Sequence, residues 1–263
     1  MPITKSGDIE IHYEVYGEGI PIVLGHSFLC STQMWEPQVS PLEEQYQVIN
    51  IDARGHGESG SITESMTLYD MVDDVIAVMD HLGIEKAVWG GLSIGGMVAM
   101  RAAIKYPERV LGMMLLDTDA GPETAFICFK YSAMGLMVKT MGVNLMVGAI
   151  SKLMFAPSTI REQKELVTYW KEQFNSVHVP SILIMLQALK DRDDLLAQLD
   201  NLSVPTLVLV GEQDQSLPPV RSKRIADRIN GAEYFEIADA GHLSTLEKPA
   251  EVTKAILDFM AKI

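Results

Sequence analysis

The segment IEIHYEVY alternates apolar and polar positions. Ile9, Ile11, Tyr13 and Val15 fall on one face, and Glu10, His12 and Glu14 on the other. A period of two predicts a half-exposed strand at the edge of a sheet, with His12 on its solvent face. Later apolar runs lose this alternation. IPIVLG from Ile20, QVINID from Gln47, KAVWGG from Lys86, RVLGMMLLD from Arg109 and PTLVLVGE from Pro205 are short and nearly continuous. Such runs suit parallel strands covered on both faces. Helical spacing separates them. Leu68, Met71, Val72, Val75, Ile76, Met79 and Leu82 form a stripe interleaved with aspartates, and Gly83 follows as a C-cap. Val252, Ile256, Leu257 and Met260 form another stripe, with Pro249 near its start. Alternating strands and helices predict an α/β domain with a mostly parallel sheet and right-handed crossovers.

One region breaks the rhythm. Gly121 to Leu202 offers no strand, only helix-like segments rich in Met, and the strand–helix alternation resumes at Val204. The expected organisation is a core of residues 1–120 and 203–263 with a helical insertion over 121–202. Within that insertion, Asp191, Asp193 and Asp194 read as a solvated helix start. A chain of 263 residues accommodates one such domain.

Charge and cysteine content narrow the function classes. The formal net charge of −14 disfavours a phosphate backbone as partner, so no nucleic-acid binding is expected. Cys30 and Cys128 make neither a disulfide framework nor a CxxC pair, so no metal site is expected. The opening MPITKSGDIE lacks an apolar signal core. In the apolar stretch Ala133–Ala156, Lys139 and Lys152 interrupt the run short of a membrane span. The expectation is a cytoplasmic protein with no membrane partner. These residues do not distinguish a monomer from a homo-oligomer.

The chemistry concentrates at KAVWGGLSIGGMVAM. A buried strand runs into Gly91-Leu92-Ser93-Ile94-Gly95 and a helical pattern follows, which is G-x-S-x-G in its strand–turn–helix setting. The turn must be sharp enough to push the Ser93 hydroxyl above the sheet, and side chains at Gly91 and Gly95 would strike neighbouring backbone. The helix begins at the nucleophile, so its unpaired N–H groups point at any oxyanion formed there. A serine hydroxyl needs a base, and the base needs an orienting acid. Of the six histidines, His242 lies in the late loop IADAGHLSTLEKP and suits the chain order Ser, Asp, His. His26 and His56, in loops after strands, are the nearer rivals. Asp214 follows the strand TLVLVGE and is the candidate acid, with Asp117 as runner-up. The loop Gly25–Leu29 should supply the second oxyanion donor, which makes the backbone N–H groups of Phe28 and Ile94 the candidate pair.

Together, LGHSF, DARGHGES at Asp52–Ser59, GLSIGGM, VGEQD and AGH resemble the α/β-hydrolase fold family across nearly the whole chain. Within it, GLSIGGM and the chain length look like the 3-oxoadipate enol-lactonases and the small bacterial carboxylesterases related to cofactor-free haloperoxidases. One departure is His26-Ser27, where many members carry His-Gly. The resemblance implies an eight-stranded, mostly parallel sheet flanked by helices, with the insertion as a lid. It also implies structural roles for Arg54 and His56. The activity implied is hydrolysis of carboxylic esters of small apolar groups through an acyl-enzyme on Ser93, without cofactor. Lactone opening, peracid formation, carbon–carbon bond hydrolysis and a non-catalytic receptor are the alternatives. A carboxylate nucleophile, as haloalkane dehalogenation requires, is missing at position 93. Candidate substrate contacts are Met97, Phe126, Met134, Met137 and Leu243, because flexible Met and bulky apolar groups suit a greasy pocket.

Overall fold

The computed structural model describes residues 2–263. Eight strands form one sheet: β1 (Ile3–Ser6), β2 (Ile9–Tyr16), β3 (Ile20–Gly25), β4 (Tyr46–Ile51), β5 (Ala87–Leu92), β6 (Val110–Leu116), β7 (Thr206–Gly211) and β8 (Glu233–Ile237). Their spatial order is β1-β2-β4-β3-β5-β6-β7-β8. β1 and β2 are antiparallel to their neighbours, and every pairing from β4 to β8 is parallel.

The continuous apolar runs are explained by two separate cores. Val23, Trp89 and Leu115 pack on one side of the sheet, with the helices Leu68–His81 and Ile94–Lys105. Leu24, Val88 and Leu116 point the other way, against the final helix Pro249–Met260. Neighbouring residues of one strand thus serve opposite layers, so apolar side chains dominate both faces, and the buried Asn50 of β4 is accommodated by donating to Thr32 O at 2.9 Å. Each fully buried Leu, Ile or Val contributes about 1.5–3 kcal/mol relative to exposure.

Two sequence expectations need correction. β2 is not the edge strand, because β1 pairs outside it. His12 is not on a solvent face. It is 2% exposed, and its Nδ1 lies 2.9 Å from Asp52 Oδ2. The physical cause is the loop after β4, which crosses this face of β2. Gly60 N donates to Glu10 O at 2.7 Å, and His12 N donates to Ser59 Oγ at 2.9 Å. Covering backbone then buries a side chain whose local pattern reads as exposed.

Between β6 and β7 the described chain contains helices and no strand, with helices at Ala125–Met141, Val147–Met154, Pro157–Glu162, Lys164–Asn175, Val179–Lys190 and Leu196–Leu199. Among the described residues no helix is long and apolar enough to cross a membrane. Polar contacts pin this segment to the sheet-bearing layers. Arg101, 1% exposed, donates from Nε to Asp193 Oδ1 at 3.1 Å, and Tyr69 OH donates to Asp193 Oδ2 at 2.8 Å. Asp193 is therefore the partner of a buried cation as well as a solvent-exposed charge. Asp194 does open a helix, with its Oδ1 accepting from Leu196 N at 2.9 Å.

On the far side, the buried Glu247 joins two segments. Its Oε2 accepts from Ala156 N at 2.8 Å and Thr159 Oγ1 at 2.5 Å, and its Oε1 accepts from Gly241 N at 2.9 Å. Burial pushes the Glu247 carboxyl above its ordinary range, and the three donors oppose that shift. Glu247→Ala strands these donors. It is expected to cost about 2–4 kcal/mol, a fall in Tm of roughly 5–15 °C for a chain of this size. Thermal unfolding followed by circular dichroism checks this, and a shift under roughly 2 °C would show that the donors find other partners.

Candidate active site

The parallel strands all deliver their C-terminal ends to one edge of the sheet. Gly25 of β3 lies opposite Gly91 of β5, and Leu92 lies opposite Leu116 of β6. Ser93 follows Leu92 at once and heads the helix Ile94–Lys105. Its backbone sits at φ 57°, ψ −112°, in the left-handed half of conformational space. Such a conformation costs a non-glycine residue about 1–3 kcal/mol. Surrounding contacts hold it in place. Ser93 N donates to Leu116 O at 2.8 Å, and Thr118 Oγ1 donates to Ser93 O at 2.6 Å. The flanking glycines are sterically obligatory. A Cβ on Gly91 would stand 2.2 Å from the carbonyl carbon of Gly95, and a Cβ on Gly95 would stand 2.2 Å from Gly25 O.

His242 arrives from the loop after β8. Its Nδ1 lies 2.7 Å from Asp214 Oδ2, and both side chains are buried. The other Asp214 oxygen, Oδ1, accepts from Ser216 N at 2.8 Å and Leu217 N at 2.9 Å, which fixes the carboxylate. An ionised carboxylate only accepts, so the shared proton belongs on Nδ1 and Nε2 is left as an acceptor. Ser93 and His242 line one cavity of about 80 Å³, together with Ser27, Phe28 and Leu29 from the loop after β3. Among the described residues, no protein acceptor takes the N–H of Phe28 or Ile94.

The rival residues have other duties. Asp117 is fully buried with φ 47°. Its Oδ1 accepts from Gly211 N at 2.7 Å, and its Oδ2 accepts from Ser244 Oγ. Burial, and then the nearby charge of Asp214, push its carboxyl well above the ordinary range. His26 Nε2 accepts from Ala53 N at 2.9 Å, and His56 Nε2 accepts from Leu29 N at 3.3 Å. Burial lowers both imidazoles, with His56 pushed down to about 3 by burial and then by His26. Two neutral rings thus tether the Ser27–Leu29 loop to the loop after β4. Arg54 grips Asp74 with two 2.6 Å bonds.

The expected substrate contacts divide. Met97 and Met134 line the cavity. Phe126 and Met137 do not. They are 64% and 42% exposed, three helical turns apart on the outer face of Ala125–Met141. Leu243 is fully buried in the core beneath the base loop, where its N donates to Met154 O at 3.0 Å. The cavity also gathers Glu123, Tyr131, Arg192 and Ser216, which sequence reasoning did not single out. Charged and polar residues in a helical region read as solvent-facing, and no motif marks them.

A model of the alpha/beta hydrolase fold matches residues 20–249, and the chain belongs to that family. A thermophilic esterase from Thermogutta terrifontis superposes with a TM-score of 0.93 at 33% identity, covering 99% of this chain and 97% of that one. An enol-lactonase from Burkholderia xenovorans superposes with a TM-score of 0.93 at 27% identity, covering 99% and 100%. 3-Oxoadipate enol-lactonase 2 from Acinetobacter baylyi is 26% identical over 95% of this chain and 92% of its own length.

The two carboxyl groups at the sheet edge are separable by mutation. Asp214→Asn should lower kcat/KM by about 10³–10⁴, because the imidazole loses its orienting charge. Asp117→Asn should leave kcat/KM within about tenfold, because an amide can serve both Gly211 N–H and Ser244 Oγ. The Asp117 carboxyl holds its proton more tightly in the native state than in the unfolded chain. Its contribution to stability is full at acid pH and drains away as pH rises through the folded-state value. The Tm of Asp117→Asn should therefore gain on wild type as pH rises from about 4, the ordinary Asp range, towards neutral. A constant difference, or a larger activity loss at 117 than at 214, contradicts the assignment.

Proposed function

We propose that this protein is a serine hydrolase that cleaves carboxylic esters of small groups through an acyl-enzyme on Ser93. The observation that carries this reading is the buried Asp214–His242 pair at 2.7 Å, opening onto the same cavity as a serine held at a strained strand–helix turn. His242 Nε2 takes the Ser93 proton as Oγ attacks the ester carbonyl. The N–H groups of Phe28 and Ile94 receive the developing oxyanion, aided by the positive end of the Ile94–Lys105 helix. The imidazolium, stabilised by Asp214, then protonates the departing alcohol. Water repeats the sequence on the acyl-enzyme and frees the acid.

The likeness to an esterase and to enol-lactonases supports acyl transfer at carbon. Lactone opening is the second reading, favoured by the two enol-lactonase relatives. It uses the same steps, with a leaving oxygen that stays tethered to the acyl chain. Residues 121–202 act as a lid in this reading. Met134 and Leu153 close the cavity from that side, and Met97 closes it from the nucleophile's helix. A space of about 80 Å³ suits short chains rather than long acyl tails.

Wild type should hydrolyse 4-nitrophenyl acetate or butyrate, and Ser93→Ala should lose at least about 10³-fold in kcat with its circular dichroism unchanged. Residual Ser93→Ala activity above a tenth of wild type, or inactivity of wild type across short esters and lactones alike, would refute the proposal.

A further inference from the structure

The helix Ala125–Met141 turns Met134, Gly135 and Val138 towards the protein, and its opposite face is bare. Phe126, Phe129, Leu136 and Met141 on that face are each more than half exposed, and so is Leu145 in the turn that follows. Ala133 and Met137 fill the gaps at helical spacing, so the apolar surface is continuous. The five large side chains leave on the order of 500 Å² in water, at the upper end for the largest apolar patch of a monomer. Charge on this segment runs against the rest of the molecule. The chain has a net charge of −14, yet no acidic residue lies between Glu123 and Glu162, where Lys130, Lys139 and Lys152 occur. All three lysines are exposed, and among the described residues none pairs with a carboxylate. Lys130 Nζ lies 4.5 Å from the centroid of the Phe126 ring, so a cation and an apolar group share one site.

The occupant of this face must be apolar at its centre and anionic around it. A second copy seated face to face would set these lysines against the same lysines, with no carboxylate in the segment to receive them. An anionic lipid surface meets both demands. Phenyl and leucyl groups enter the boundary between headgroups and acyl chains, while lysine stems lie along it and reach the phosphates. The acidic remainder of the molecule is repelled by such a surface, which favours approach with this face first. We propose that the outer face of Ala125–Met141, with the turn after it, is a docking surface for an anionic lipid bilayer, on which the protein rests without inserting a helix. This departs from the sequence expectation of no membrane partner, which rested on the missing span, and it does not depend on the chemistry at Ser93.

The test is co-sedimentation of the full chain with vesicles of phosphatidylcholine alone and of phosphatidylcholine and phosphatidylglycerol in equal parts. Wild type should bind the anionic vesicles at least about tenfold more tightly than the neutral ones. The double variant Lys130→Glu/Lys139→Glu should lose about tenfold or more on anionic vesicles, and Phe129→Ser/Leu136→Ser should lose a similar factor. Both pairs are exposed, so circular dichroism and Tm should match wild type and show that the variants fold. Light scattering in the absence of lipid should give a monomer. No binding to anionic vesicles, equal binding to neutral ones, or binding untouched by either variant would overturn the proposal. So would a dimer that Phe129→Ser/Leu136→Ser splits, since it assigns the face to a second copy. Binding is read by sedimentation rather than turnover, so its failure leaves the hydrolase reading untouched.

Discussion

The structure turns on the backbone contact between Gly95 and Gly25. The helix that starts at Ser93 lies so close to β3 and β5 that a single methyl group at position 91 or 95 would overlap main-chain atoms. This proximity forces the reversal at Ser93, lifts the residue clear of the sheet edge, and aims a helix N-terminus at the space above it. The strain of the left-handed serine is not relaxed locally. It is held by Leu116 O and Thr118 Oγ1 from the neighbouring strand and its loop, so the geometry of the turn depends on the β5–β6 pairing.

Two buried acids at the same edge show how surroundings divide labour between identical side chains. Asp214 accepts two amides on one oxygen and an imidazole on the other, an environment suited to a fixed negative charge. Asp117 sits deeper, beside that charge, and is driven toward its neutral form. A protonated Asp117 can still bridge Gly211 and Ser244, so it secures the ends of β6 and β7 without adding a second anion next to His242. The buried histidines follow the same logic. Kept neutral, His26 and His56 accept backbone N–H groups that would otherwise be unpaired in the loops framing the cavity.

The central strands and the two long amphipathic helices were legible because burial on both faces, or on one stripe, leaves an unmistakable pattern. β1 was not, since a four-residue polar edge strand carries almost no periodic signal. The misplacement of His12 has a related origin. Alternation reports which face is polar, but not whether a loop from another part of the chain will cover it. Ser93, Asp214 and His242 stood out because each lies at a strand end within a motif. The cavity wall did not. The helix Ala125–Met141 is apolar nearly all the way round, so its pattern cannot tell the face with Met134 from the one with Phe126.

The bonds made by Glu247 have a mechanical corollary. One carboxylate grips the amide before His242 and, at the same time, the chain at Ala156 and Thr159. The loop that carries His242 and the chain at Ala156 and Thr159 are therefore bonded to the same carboxyl group. Moving Ala156 and Thr159 away from the sheet would break these bonds and pull on the loop that seats His242 beside Asp214.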